Sequence, residues 1–227
     1  MSSNPQLVEY RGSCHCGAFK FKLKAPELKE ALRCTCSICA RNGYLWTYPW
    51  PSRENFTVVQ GDVNTTLTSY LWGHKMMAHK FCPTCGTSVM EDKMPHSTVV
   101  GAPDFAINIR TLEDVDFDSL RVEIFDGATL LPGSPHPTVE PVKNADGTTL
   151  YTGNCHCGAL EYTLLNPEKI TNATLCNCSI CWRDAALWVY PQTTAVTFKN
   201  PDAAVEYTFA NKECHHGFVT GFGEDAV

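Results

Sequence analysis

Several features that would place this chain in a membrane or on a nucleic acid are missing from its 227 residues. No apolar run approaches the roughly 18 residues of a membrane-spanning helix, and residues 1–13 have neither the apolar core nor the cleavage site of a secretory signal. The formal net charge of -6 lacks the basic excess that phosphate binding requires. We therefore expect a cytoplasmic protein, with a nuclear location as the alternative, and neither a membrane nor a nucleic acid as partner.

Helical periodicity is also scarce, whereas short alternating patterns typical of strands recur. Residues 19–24 alternate apolar and charged side chains as a half-buried strand does, and residues 160–164 repeat that pattern. Further strands are predicted at residues 56–59, 97–100 and 121–125. The sequence thus predicts an all-β fold made of small sheets.

Cysteine, by contrast, is abundant, with 13 residues in the chain. An odd number cannot be fully paired as disulfides within one chain, and cysteines one or two residues apart have poor disulfide geometry. In a reducing compartment, cysteine clusters bind metal or carry out chemistry more often than they form disulfides. The pattern therefore predicts metal binding, with Zn2+ as the expected ion.

An internal repeat runs through the chain with an offset of 141 to 142 residues. GSCHCGA at 12–18 recurs as GNCHCGA at 153–159, and CTCSIC at 34–39 recurs as CNCSIC at 176–181. Self-similarity of this kind indicates two copies of one structural unit.

A stretch rich in proline and glycine, residues 131–147, is predicted to be the linker between the two units. We name residues 8–130 copy one and residues 148–227 copy two, and we predict one domain in each. Four aromatic residues that follow the CxCSIC motifs are expected to face the core of their copy: Trp46, Tyr48, Trp188 and Tyr190.

The cysteines of copy one fall into three groups, Cys14/Cys16, Cys34/Cys36/Cys39 and Cys82/Cys85. Structural zinc has four protein ligands, whereas catalytic zinc keeps one position open. The two pairs are predicted to form a structural site, which leaves the triplet to hold a second ion with an open position. Spacing leaves two alternatives: the triplet inside a closed site, or a site of three cysteines and one histidine. The candidate histidines are His74, His79 and His96.

Taken together, these motifs resemble a known family. Gly-x-Cys-His-Cys-Gly, then Cys-x-Cys-Ser-x-Cys, then FCPTCGT at 81–87 are similar to the glutathione-dependent formaldehyde-activating enzyme family, which includes the centromere-protein-V-like proteins. The resemblance covers about residues 8–130 and implies a β-tent fold, hence two tandem β-tent zinc domains of small antiparallel sheets. It also implies a structural zinc on the residues matching Cys14, Cys16, Cys82 and Cys85, and a catalytic-type zinc on those matching Cys34, Cys36 and Cys39.

Copy two departs from this pattern. Alignment of Tyr70 with Tyr207 places Val219 and Phe222 where Cys82 and Cys85 stand in copy one. Cys155 and Cys157 are thus expected to form an incomplete site, and copy two to be degenerate and truncated. Possible substitute ligands nearby in the sequence are Cys214, His215 and His216. A second triplet remains as a candidate zinc site: Cys176, Cys178 and Cys181.

The resemblance implies a zinc-dependent carbon–sulfur lyase, with a small-molecule thiol or glutathione adduct such as an S-hydroxymethyl-glutathione-like compound as its partner. An open zinc suits that chemistry, because it can accept a thiolate or polarise an oxygen on the adjoining carbon. The alternative is a non-catalytic zinc-binding module that binds a partner or a thiol. The degeneration of copy two favours this alternative.

Overall fold

The computed structural model describes residues 6–98, 102–131, 133–137 and 139–220. Within them the chain is mostly β, with several small sheets and short helices, which confirms the all-β prediction. No helix in these ranges is long and apolar enough to cross a membrane.

The described part of copy one contains ten strands and two short α-helices. In chain order they are β1 (Leu7–Ser13), β2 (Lys20–Pro26), β3 (Glu30–Cys34), α1 (Ser37–Asn42), β4 (Trp46–Tyr48), β5 (Phe56–Gln60), β6 (Thr68–Tyr70), β7 (Met77–Phe81), β8 (Ser88–Lys93), β9 (Phe105–Ile107), β10 (Arg121–Phe125) and α2 (Gly127–Leu130).

Three sheets make up copy one, in the orders β1-β2-β5, β6-β7-β8-β9 and β10-β3-β4. All pairs are antiparallel except β10 with β3, which is parallel. The alternation predicted around residue 21 positions β2 as expected: Phe21, Leu23 and Ala25 are buried while Lys20 and Lys24 are exposed. A strand with this pattern covers the core with one face and meets water with the other.

Copy two is built from shorter elements. They are β11 (Val142–Lys143), β12 (Thr149–Asn154), β13 (Glu161–Asn166), β14 (Thr174–Leu175), α3 (Ser179–Asp184), β15 (Leu187–Trp188), β16 (Val196–Lys199), β17 (Ala204–Tyr207) and β18 (His216–Val219). Its sheets have the orders β11-β12-β13-β16, β14-β15 and β17-β18. Strand β11 lies within the predicted linker and pairs with β12.

The buried core belongs almost entirely to copy one. Its main cluster contains Phe19, Phe21, Phe105 and Ile107, together with three of the cysteines. In the described part of copy two, the buried hydrophobic residues are only Leu164, Ile180 and Cys181. Copy two therefore has little core of its own and packs instead on copy one.

Two sequence predictions fail in detail. Ser97 and Thr98 form no strand, and Val99 and Val100 lie outside the described residues. Tyr190 was expected to face the core but is 77% exposed. The prediction for Tyr190 is wrong because copy two repeats the copy-one motif around this residue without the core that buries the motif in copy one.

Trp182 of copy two stacks on Phe117 of copy one. Removing this contact tests how much the packing of the two copies contributes to stability. The ring centroids are 4.5 Å apart and the rings are nearly parallel. We expect Trp182→Ala to lower the free energy of unfolding by about 2 to 3 kcal/mol, somewhat less than for a fully buried tryptophan. Urea unfolding of the zinc-loaded chain measures it, with Tyr190→Ala as the control. Equal midpoints for the two variants would show that this contact contributes no stability.

Candidate metal centres

Two hairpin turns of copy one bring four cysteines together. Cys14 and Cys16 lie between β1 and β2, while Cys82 and Cys85 lie between β7 and β8. All four sulfurs are within 4.8 Å of one another, and Sγ of Cys16 is 3.6 Å from Sγ of both Cys14 and Cys82. Thiolates on a tetrahedral zinc with bonds of about 2.3 Å lie about 3.8 Å apart. The donors and their spacing therefore fit a closed zinc site.

The protonation of these thiols explains why the cluster suits a cation. Hydrogen bonds with Cys14 and Cys82 lower the pKa of Cys85, whereas hydrogen bonds with Cys82 and Cys85 raise the pKa of Cys14. Burial raises the pKa of Cys16 to about 11. Negative charge is thus confined to part of the cluster, and a divalent cation would allow all four sulfurs to ionise.

Gly86 closes the second turn in a conformation that other residues rarely adopt. Its φ is +77°, and its N–H donates to the carbonyl oxygen of Cys82 at 2.9 Å. A Cβ at this position would come within 2.8 Å of the Phe218 ring. The turn that carries Cys82 and Cys85 therefore fits directly under β18 of copy two only because it has no side chain there.

The triplet Cys34, Cys36 and Cys39 forms a second cluster in copy one. Cys34 ends β3, Cys36 is the residue before α1, and Cys39 lies within α1. Their three sulfurs are within 4.8 Å of one another and all three residues are buried. The Trp46 indole N–H donates to Sγ of Cys39 at 3.4 Å. No fourth donor joins these three thiols among the residues that the structure describes, which matches a metal site with an open position.

In the triplet, too, negative charge is confined to part of the cluster. Hydrogen bonds with Cys34 and Cys39 lower the pKa of Cys36 to about 2, while the hydrogen bond with Cys36 is the main cause that raises the pKa of Cys34 to about 12. Gly127 begins α2 against this cluster, and a Cβ there would lie 2.5 Å from Sγ of Cys34. The thiols are therefore enclosed on that side by backbone.

A cavity of about 460 Å³ opens beside the triplet, and all three of its cysteines line it. Aromatic side chains form much of the wall: Trp46, Tyr48, Trp50 and Trp72. Two buried ionisable side chains, His79 and Glu91, also line the cavity. A site with apolar walls and a few polar groups is typical for binding a small molecule.

His79 and Glu91 are both buried, and neither is expected to be charged near neutral pH. Burial, reinforced by the negative charge of Cys36, raises the pKa of Glu91 to about 8, while burial lowers the pKa of His79 to about 4. Nδ1 of His79 lies 3.9 Å from Oε2 of Glu91 and has no hydrogen-bond partner among the described residues. We therefore do not regard this contact as an ion pair. The Glu91 carboxylic acid thus lines the same cavity as the triplet.

The three histidines proposed as alternative ligands do not join a cysteine cluster within the described ranges. His74 and His96 are exposed, although His74 is at the edge of the cavity. His79 contributes to the cavity wall instead. The division of the copy-one cysteines into four and three is the arrangement that the geometry supports.

In copy two, Cys176, Cys178 and Cys181 also have their sulfurs within 4.8 Å of one another. This triplet is more exposed than its copy-one counterpart. The Trp188 indole N–H donates to Sγ of Cys181 at 3.2 Å, as Trp46 does to Cys39. The local geometry of the triplet is therefore repeated, but not its enclosure.

Cys155 and Cys157 have sulfurs 3.3 Å apart, and no third metal donor gathers with them in the part of the chain that the structure describes. Val219 occupies β18, while Phe222 lies outside the described residues. Of the proposed substitutes, Cys214 is exposed and Nδ1 of His215 is 2.8 Å from the Glu206 carboxylate. The ring of His216 packs against Trp188 instead.

Sequence reasoning overlooked Glu91, Trp50 and Trp72. The signal for Glu91 was a charged residue within the run Val89-Met90-Glu91, where all three side chains are buried. A carboxylate in such a run indicates a functional group, because burying it is costly. Trp50 and Trp72 carry no comparable signal, since only folding brings them to the triplet.

Comparison with known proteins bears on copy one. Residues 9–116 match the model of the family described as glutathione-dependent formaldehyde-activating enzyme. The crystal structure of a Rhodobacter sphaeroides protein is similar to this chain at 29% identity and a TM-score of 0.42, covering 51% of this chain and 99% of its own. The family match contains all seven cysteines of copy one and ends before the predicted linker.

Cys82→Ser should remove one zinc ion and unfold copy one, because metal binding at a structural site contributes on the order of 10 kcal/mol to folding in small zinc peptides. Metal analysis and circular dichroism measure the two effects. The control is Cys214→Ser, which alters an exposed cysteine outside the clusters. A Cys82→Ser variant with the melting temperature of the control would contradict the assignment.

Cys36→Ser should release the ion of the triplet yet leave most of the fold, since the four-cysteine site does not include Cys36. The expected result is one zinc fewer per chain with a nearly unchanged far-ultraviolet circular dichroism spectrum. Global unfolding of this variant would mean that the seven cysteines are divided differently.

Proposed function

Since residues 9–116 form a domain of the glutathione-dependent formaldehyde-activating enzyme family, we propose that copy one is a zinc-dependent carbon–sulfur lyase. Its substrate would be a thiol adduct such as an S-hydroxymethyl-glutathione-like compound. The observation that carries this proposal is the cavity of about 460 Å³, in which an open cysteine triplet and a buried carboxylic acid share one space.

The triplet of Cys34, Cys36 and Cys39 would hold the ion. Bound there, zinc would supply an open coordination position for a thiolate, or a positive charge beside an oxygen on the adjoining carbon. The protein supplies the other requirements: a water-poor space, walls that hold the organic part of the adduct, and a group that exchanges a proton.

Glu91 is the group best placed to exchange that proton. When an adduct forms, the thiolate sulfur bonds to the carbonyl carbon, and the oxygen receives the displaced electron pair and needs a proton. The Glu91 carboxyl, protonated near neutral pH because burial raises its pKa to about 8, can donate it. In the reverse direction its carboxylate takes the hydroxyl proton back as the carbon–sulfur bond breaks and the electron pair leaves with sulfur.

The aromatic walls favour a substrate with an extended organic part over formaldehyde alone. Trp50 and Trp72 offer flat apolar surfaces, and Met76 and Met77 add flexible apolar contact. A cavity of this volume is within the roughly 300–1,000 Å³ range of small-molecule sites. It is much larger than a one-carbon compound requires.

A non-catalytic thiol-binding role is the second candidate, and it applies to copy two. Copy two keeps a cysteine triplet but has no strand equivalent to β8, and so no counterpart of Glu91, among the residues described. Its triplet is also less enclosed. Copy two would thus be able to bind a metal or a thiol without a proton-transfer group.

Glu91→Gln should lower kcat by about 10²-fold, the lower limit for loss of a general acid, while zinc content stays the same. Exchange NMR of formaldehyde and glutathione measures the rate above the spontaneous reaction. The matched control is Glu54→Gln, an exposed carboxylate outside the cavity. Full activity in Glu91→Gln would eliminate the proposed acid, and inactivity of the zinc-loaded wild type would eliminate the lyase.

A further inference from the structure

The two copies contact each other through a reciprocal set of hydrogen bonds. Nε2 of His156 lies 2.9 Å from Oγ of Ser37, and its Nδ1 lies 2.6 Å from the Tyr70 hydroxyl. The same bonds occur in reverse: Nε2 of His15 lies 2.8 Å from Oγ of Ser179, and its Nδ1 lies 2.9 Å from the hydroxyl of Tyr207.

Each residue in the first set is the repeat counterpart of one in the second. His15 and His156 lie 141 residues apart within the repeated GxCHCGA motif, and Ser37 and Ser179 lie 142 residues apart within the repeated CxCSIC motif. Tyr70 and Tyr207 are the pair on which the two copies align. Contacts of this type, in which one patch meets its own equivalent, characterise two-fold symmetric dimers. The two copies therefore pack as a dimer would, within one chain.

His156 of copy two lies next to the helix that follows the copy-one triplet residue Cys36. It is 7% exposed and lies between Cys155 and Cys157, the pair that gathers no other metal donor in the described ranges. Its partner Ser37 is the first residue of α1 and immediately follows Cys36. Both ring nitrogens are engaged by hydroxyls, so this histidine serves as a bridge and not as a metal ligand.

The other end of α1 is also held by copy two. Arg41, in the last turn of this helix, donates from Nη1 to Oδ1 of Asn154 at 2.6 Å. Its Nη2 donates to the carbonyl oxygen of His136, which belongs to the predicted linker, at 2.9 Å. Helix α1 has only six residues and is too short to be stable by itself. Its position thus depends on these anchors at both ends.

The same histidine contacts one wall of the cavity. The rings of His156 and Trp72 meet edge to face with centroids 4.9 Å apart, and Trp72 lines the cavity beside the triplet. Cys157 packs against the buried cluster that contains Cys34, Cys36 and Cys39. A change at His156 would therefore reach both the ligands and the substrate space.

We propose that His156 is a positioning residue for the copy-one triplet: copy two holds α1 in place, and with it Cys36 and Cys39, in the geometry that binds metal. This rests on the proposed function insofar as the triplet holds zinc. It gives copy two a role that does not require its own four-cysteine site. Outer contacts that orient ligands typically change metal affinity by about 10–100-fold when removed.

The test measures the rate of zinc release to a chelator in a Cys176→Ser background, which disables the copy-two triplet. Ser37→Ala deletes only the hydroxyl that meets His156, and His156→Phe removes both bonds while retaining a ring. We expect each variant to release the triplet zinc about tenfold faster and to shift the absorption bands of the cobalt-substituted site. The double variant Ser37→Ala/His156→Phe should release zinc no faster than His156→Phe alone, since both substitutions remove the same contact. His156→Gln, which can still bond to Ser37, should restore part of the loss.

Ser179→Ala is the matched control, since it removes the corresponding hydroxyl beside the copy-two triplet. It should leave zinc release from the copy-one triplet unchanged. Equal release rates in wild type and Ser37→Ala would overturn the inference, as would additive effects in the double variant or an equal effect of Ser179→Ala. If His156→Phe does not fold, the Ser37→Ala comparison decides.

The outcomes also separate this inference from the proposed function. Two zinc ions per chain with release rates insensitive to Ser37→Ala would refute the inference alone. Sensitive release rates in a chain without lyase activity would refute the lyase alone. In the Cys176→Ser background, a single zinc ion per chain would refute both, because the copy-one triplet would then hold no metal.

Discussion

The meeting of two hairpin turns at four cysteine sulfurs is the constraint on which the rest of copy one depends. Cys16 and Cys82 are separated by 66 residues, yet their sulfurs are 3.6 Å apart. The turns they occupy belong to different sheets, β1-β2-β5 and β6-β7-β8-β9. The cysteines also lie within the main hydrophobic cluster beside Phe19 and Phe21. An ion that ties these turns together would supplement a core made from short strands, a common way to stabilise small domains.

The triplet site is governed by the opposite condition. Its cysteines lie at the end of one strand, immediately before a helix of six residues and within that helix, and the proposed function requires the adjoining cavity to admit a substrate. A site that is open on one side cannot be rigidified by closing it with a fourth cysteine. Its support must come from neighbouring elements, namely Trp46, the backbone of α2 and the turn of copy two that carries His156. Rigid support of the ligands is what functional metal sites generally require.

This division of roles accounts for the unequal state of the two copies. Copy two has Val219 where the alignment places Cys82 of copy one. Its described part also has few buried apolar side chains. Copy two nevertheless provides His156, Asn154 and Trp182, and each of them contacts copy one. Copy two can therefore contribute to the fold through its contacts with copy one, without a four-cysteine cluster of its own in the described residues.

The sequence alone determined the features that are local or repeated. Alternation around Phe21 predicted a strand because side-chain direction along β structure has a period of two residues, and the cysteine spacing predicted a group of four and a group of three because zinc coordination restricts ligand number. It could not assign Glu91 or Trp72 to the triplet, because no local pattern records which distant strands meet. It also misplaced Tyr190, since a repeated motif carries no information about the core that surrounds it. Only the tertiary structure decided that the two copies pack as a symmetric pair and that His156 bonds to Ser37, next to the triplet of the other copy, because such contacts depend on the mutual orientation of whole sheets.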